Sequence, residues 1–134
     1  MGLIFDTSVL IALERSASPL EEAISGREEE AFGICAITAA ELLHGVHRAD
    51  SPARRLVREA FVEKIIEIFP VFPFDLASAR IYARLWASLH KKGAALGAHD
   101  VMIAATAISL GYALLTSDAE HFGRIDGLSL CKFP

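Results

Sequence analysis

The feature that most constrains this chain is a repeated junction: a short, wholly apolar run that stops at or near an acid, followed at once by a helical pattern. Leu3-Ile4-Phe5 stops at Asp6, residues 32–37 run into Thr38-Ala39-Ala40-Glu41, and residues 113–116 lead into Ser117-Asp118. Runs this short and this continuously apolar read as strands buried on both faces, and strands that alternate with helices pair in parallel. The expected fold is therefore a three-layer α/β/α domain around a mostly parallel central sheet of four to five strands. Residues 1–134 suit a single such domain, because 134 residues with 53% hydrophobic content supply one core and little room for a second.

Helix signals fill the intervals. Residues 8–14 read as a short helix. Ser18-Pro19-Leu20-Glu21 combines a cap, a first-turn proline and a capping-box glutamate, which predicts a helix to about Glu30. Thr38 and Glu41 form a second capping box. Pro52 opens a helix to about Ile66, and residues 68–72 read as a strand whose Pro70 marks a sheet edge. Residues 76–92 are amphipathic and end at Gly93, whereas residues 98–110 are apolar nearly all round and stop at Gly111. A short helix over 117–122 and a strand over 128–132 follow. The stripes Leu56, Ala60, Ile65, Ile66 and Ile81, Leu85, Trp86, Leu89 read as core at helical spacing.

Charge narrows the function classes. Thirteen basic and 17 acidic residues give a net charge of -4, which excludes a protein that coats nucleic acid through bulk charge. A local basic patch, or a metal that offsets the acids, stays open. Asp6 interrupts the first apolar stretch, against a signal peptide, and the uncharged run 101–117 is short for a membrane span. Cys35 and Cys131 have no metal-like spacing and read as reduced core residues, so the expected setting is the cytoplasm, with no membrane.

The acids carry the chemistry. In a parallel sheet Asp6, Glu41 and Asp118 project from one carboxyl edge, where such sheets take their ligands. Asp100 joins them if the buried helix begins beside it. Each acid has an ordinary local role as a cap or dipole partner. Four carboxylates converging on one edge, however, repel one another and call for a counter-ion. Mg²⁺ or Mn²⁺ is the natural choice for an all-oxygen site. Without a phosphate-binding loop, such a site suggests phosphodiester hydrolysis by metal-activated water.

These residues, in this order, resemble the PIN domain family, most closely its VapC-type toxins. The matching stretches are Asp6-Thr7-Ser8-Val9-Leu10-Ile11, Thr38-Ala39-Ala40-Glu41-Leu42 with Gly45, Asp100-Val101-Met102-Ile103-Ala104-Ala105-Thr106-Ala107, and Leu115-Thr116-Ser117-Asp118 with His121-Phe122 and Gly127-Leu128. The resemblance implies a Mg²⁺-dependent endoribonuclease whose catalytic, metal-binding acids are Asp6, Glu41, Asp100 and Asp118. It implies hydroxyl support from Thr116, Ser117, and Thr7 or Ser8. It also implies an RNA substrate, a homodimer, and a hetero-oligomer with a VapB-type antitoxin whose C-terminal segment, often bearing an arginine, enters the acidic cleft. Position 118 is often Asn in such proteins, and His99 is not required by the pattern.

Other readings fit less well. Glu41-Leu42-Leu43-His44 has di-iron spacing but no second pair. Ser8 occupies the place where a dehalogenase-type phosphatase needs a second acid. His90 and His121 show no ligand-like spacing. A silent PIN-like RNA-binding module or a housekeeping RNA-processing nuclease is the alternative function. The basic stretch His44, His47, Arg48, Arg54, Arg55, Arg58 reads as a lip for RNA phosphates, with Arg48, Arg54 and Arg55 as the candidate contacts.

Overall fold

The computed structural model describes residues 2–16 and 25–133. Along the chain run β1 (Leu3–Phe5), α1 (Thr7–Ser16), β2 (Phe32–Cys35), α2 (Ala36–His47), α3 (Pro52–Ile68) and β3 (Val71–Phe72). They are followed by α4 (Leu76–Lys92), α5 (Ala98–Leu110), β4 (Ala113–Thr116), α6 (Ala119–Phe122) and β5 (Leu130–Lys132). The strands form one sheet in the order β3-β2-β1-β4-β5, and every pairing is parallel. The chain builds outward from β1 to one edge and then returns to lay β4 on the other side of β1. That reversal opens a crevice beyond the carboxyl ends of β1 and β4.

Strand alternation assigns the two faces. Leu3 and Phe5 point to one side with Val9, Leu10, Ile34, Val62, Phe69 and Leu115, beneath α1, α2 and α3. Ile4 and Leu114 point to the other, with Leu89, Val101, Ile103, Ala104 and Phe122 from α4, α5 and α6. Burying a side chain of this size contributes roughly 1.5–3 kcal/mol, so the two apolar layers hold the sheet between them. Phe69 meets the rings of Phe5 at 5.0 Å and Phe32 at 5.3 Å, both edge to face.

Caps set several boundaries as the sequence predicts. Asp75 accepts the Ser78 N–H at 2.9 Å at the start of α4, which holds its carboxyl below the usual aspartate value. Gly93 and Gly111 close α4 and α5 in the left-handed region, at φ of 68° and 69°. The edge position of Pro70 is also observed: its carbonyl accepts from Ile34 N at 3.0 Å beside β3. Gly33 permits that approach, because a Cβ there would stand 2.5 Å from the Phe72 ring.

Four expectations differ. The helix start at residues 18–21 lies outside the described residues, and residues 25–30 form turns and a bend, with Gly26 at φ +82 where a helix would need a negative value. α2 starts at Ala36 rather than at Thr38, capped by Cys35 with no side-chain bond. The Thr38–Glu41 capping box therefore does not form, and Thr38 is buried inside the helix with its hydroxyl unpartnered among the described residues. α3 continues to Ile68, shortening β3 to two residues, because the buried positions Val62, Ile65 and Phe69 keep a helical period. The stripe on α3 is only half core: Ile65 is buried, while Leu56 is 69% exposed. Residues 52–60 are all exposed, and the Ser51 hydroxyl caps the turn they begin with.

Candidate active site

Parallel register decides what surrounds Asp6. Phe5 pairs with Leu115, so the residues that follow them, Asp6 and Thr116, stand side by side at the carboxyl edge of the sheet. Asp6 N donates to the Leu115 carbonyl at 2.9 Å, and Thr116 Oγ1 donates to Asp6 Oδ2 at 2.9 Å. Ser8, in the first turn of α1, donates to the same oxygen at 2.7 Å. Asp6 is thus 5% exposed, with two hydroxyls fixing its carboxylate. Hydrogen bonds to a charged acceptor are the stronger kind, and they orient the group as well as stabilise it.

The other acids are helix-borne and half-buried or exposed. Glu41 lies mid-way along α2 rather than in its first turn, and accepts Thr7 Oγ1 at 2.7 Å. His99 Nδ1 stands 3.7 Å from its second oxygen. Asp100 sits in the first turn of α5, and its Oδ2 lies 3.0 Å from His121 Nε2. Asp118 is exposed and caps α6 through a long bond from His121 N, 3.4 Å, while its own N–H donates to Thr116 Oγ1 at 3.0 Å. The contacts run from Asp6 to Thr116, to Asp118, to His121 and to Asp100, while Thr7 and His99, the chain neighbours of Asp6 and Asp100, both reach Glu41.

The expected supporting residues take distinct roles. Thr116 and Ser8 serve Asp6, but Thr7 serves Glu41. Ser117 contributes its backbone N–H, to Ser8 Oγ at 3.3 Å, rather than its hydroxyl. His121 falls in a family-matching stretch of the sequence, but the sequence assigns it no role. No spacing links it to Asp100, and only the turn of α6 brings the two together.

Among the described residues, no three His, Cys, Asp or Glu side chains form a ready-made metal cage. In donor chemistry the four carboxylates suit a hard divalent cation, which takes oxygen ligands. Asp6, Glu41 and Asp100 are each already oriented by a hydroxyl or imidazole neighbour, the usual arrangement behind ligating carboxylates.

A cleft of about 620 Å³ opens beside Glu41 between α1, α2 and α3. Arg15, His44, Arg48, Arg58 and His99 line it together with apolar Ile11, Leu42, Phe61 and Val62. Of the three candidate arginines, Arg48 reaches this cleft. Arg54 Nη1 donates to both carboxylate oxygens of Asp50 at 3.1 Å, and neither Arg54 nor exposed Arg55 lines the cavity.

A doubly wound sheet with carboxylates at its switch point defines the class, and residues 3–128 match the PIN domain model. Ribonuclease VapC1 of Rickettsia felis is 40% identical over 97% of this chain and 95% of its own length. Ribonuclease VapC of Rickettsia bellii is 36% identical over 100% and 98%. The DNA-bound VapBC structure from Salmonella typhimurium superposes with a TM-score of 0.86 over 98% of both chains, at 28% identity. This chain belongs to the PIN domain family, in its VapC group. No helix among the described residues is long and apolar enough to cross a membrane.

Proposed function

We propose that this chain is a metal-dependent endoribonuclease that acts as the toxin of a toxin–antitoxin pair. The observation that carries the reading is Asp6, buried at the β1–β4 crevice and held by Thr116 and Ser8, with Glu41, Asp100 and Asp118 linked around the same edge. Its relatives' names support ribonuclease activity. A solved neighbour from Mycobacterium tuberculosis, 28% identical with a TM-score of 0.79, is described as a member of the VapBC family of toxin–antitoxin systems.

In this reading Asp6, Glu41, Asp100 and Asp118 hold Mg²⁺ or Mn²⁺. When bound, the cation supplies a Lewis acid for phosphodiester hydrolysis and offsets the acidic edge so that an anionic backbone can enter. Thr116 and Ser8 fix the Asp6 carboxylate before substrate arrives, and Thr7 does the same for Glu41. Arg48 and Arg58 hold RNA phosphates in the adjoining cleft, a contact type that positions without reading sequence. A cognate VapB-type antitoxin inhibits the enzyme by occupying this cleft, and the assembly includes a homodimer. A monomer at high micromolar concentration by light scattering would remove the dimer.

The test is cleavage of a structured RNA by antitoxin-free protein with Mg²⁺ or Mn²⁺, with EDTA, and with Asp100→Ala. The expected result is cleavage that requires the metal and is lost in the variant. Cleavage that survives both would defeat the reading.

A further inference from the structure

His121, like Thr116, touches two of the four acids. Its ring Nε2 lies 3.0 Å from Asp100 Oδ2, and its backbone N–H is the donor that Asp118 Oδ1 accepts in capping α6. An ionised carboxylate only accepts, so in a site where Asp100 is a metal ligand the Nε2 position is the donor. The ring is held from behind: it packs edge to face on Phe122 at 5.4 Å, and Phe122 and Ile125 are both buried in the core. A short helix anchored at Phe122 therefore fixes the imidazole at a set place relative to α5.

We propose that His121 is a positioning residue for the metal-binding acids, fixing the Asp100 carboxylate through Nε2 and Asp118 through its backbone. The inference rests on the proposed metal-dependent nuclease and adds to it a residue that spacing alone does not reveal. Its competitor is a purely structural contact that ties α6 to α5. The two differ in what they move: a tie changes the melting temperature of the metal-free protein, whereas a positioning residue changes metal affinity.

The experiment is Mn²⁺ titration calorimetry on the full chain and on His121→Ala and His121→Gln, with melting curves of each in EDTA. Partners behind ligating groups typically change metal affinity or activity by about 10–100-fold. His121→Ala is expected to weaken Mn²⁺ by that factor and to raise the Mn²⁺ needed for half-maximal cleavage in proportion, with the rate recovering at saturating metal. Glutamine, which can place an amide N–H near the Nε2 position, is expected to restore most of the affinity. Equal Mn²⁺ affinity in native protein and both variants would overturn the proposal, as would a loss of affinity matched by an equal loss of metal-free stability in both. Native protein that binds no Mn²⁺ would instead overturn the metal reading itself, a result visible before any variant is made.

Discussion

Asp6 and Asp118 follow adjacent parallel strands and end in opposite situations. Asp6 comes directly after β1, is buried, and is gripped by two hydroxyls. Asp118 comes two residues after β4, is exposed, and caps a four-residue helix. Register explains the difference. The β4 residue level with Asp6 is Thr116, so that strand presents a hydroxyl at the crevice and its acid further out. The site thus has a buried side, where two hydroxyls grip the carboxylate, and an exposed side, where the carboxylate is held by one long backbone bond.

The sharpest way to break that contrast is to neutralise each acid in turn. Asp6→Asn is expected to cost more than about 100-fold in cleavage, beyond the 10–100-fold range of supporting groups. Thr116→Val, which removes one of the two grips, should fall inside that range. Asp118→Asn should cost least, since the amide oxygen can still cap α6. Equal losses for Asp6→Asn and Asp118→Asn in single-turnover cleavage would erase the distinction between the two sides.

A smaller effect separates the arginines. Arg48→Ala with Arg58→Ala is expected to weaken RNA binding and to lower the salt slope by about 1 for each phosphate that is no longer held. Arg54→Ala with Arg55→Ala should change the slope less, because neither residue lines the cleft; an ion pair does not separate the two sets, since Arg58 faces Glu14 as Arg54 faces Asp50. Filter binding at several salt concentrations decides this, and a larger slope change from the second pair would move the RNA path out along α3.

The smallest effect concerns the two cysteines. Burial pushes the Cys35 thiol up to about 12, with the neighbouring Thr106 hydroxyl opposing the rise and the Asp6 charge adding to it. Its native value lies above the unfolded one, so its contribution to stability is complete below about pH 9 and is withdrawn as pH climbs toward 12. Iodoacetamide at about pH 8.5, where an ordinary thiol is half ionised, should therefore label half-buried Cys131 well before Cys35. Equal labelling rates in the folded protein would show that the sheet opens at β2.

Much of this fold is local in origin and was legible. The bounds of α4, α5 and β4 follow from Gly93 and Gly111, which terminate helices, and from an uninterrupted apolar run, as predicted. The parallel sheet follows from the strand–helix alternation. The errors share another cause. Thr38 and Glu41 satisfy a capping-box pattern, yet packing begins α2 two residues earlier and leaves Glu41 to Thr7 instead. Leu56 keeps core spacing, but nothing among the described residues covers that end of α3.

The sequence by itself determined that Asp6 and Asp118 follow strands and that Asp100 stands in a helix's first turn, because a buried apolar run must end where charge begins. It also determined that these strands pair in parallel, since the helices between them supply the crossovers. Only the tertiary structure decided which oxygen each hydroxyl serves, that Thr116 stands level with Asp6, and that His121 reaches Asp100. Those depend on register and on the turn of α6, which bring together side chains 110 and 21 positions apart. Hydrogen bonds act over about 3 Å of space, and no local pattern along a chain encodes a meeting at that separation.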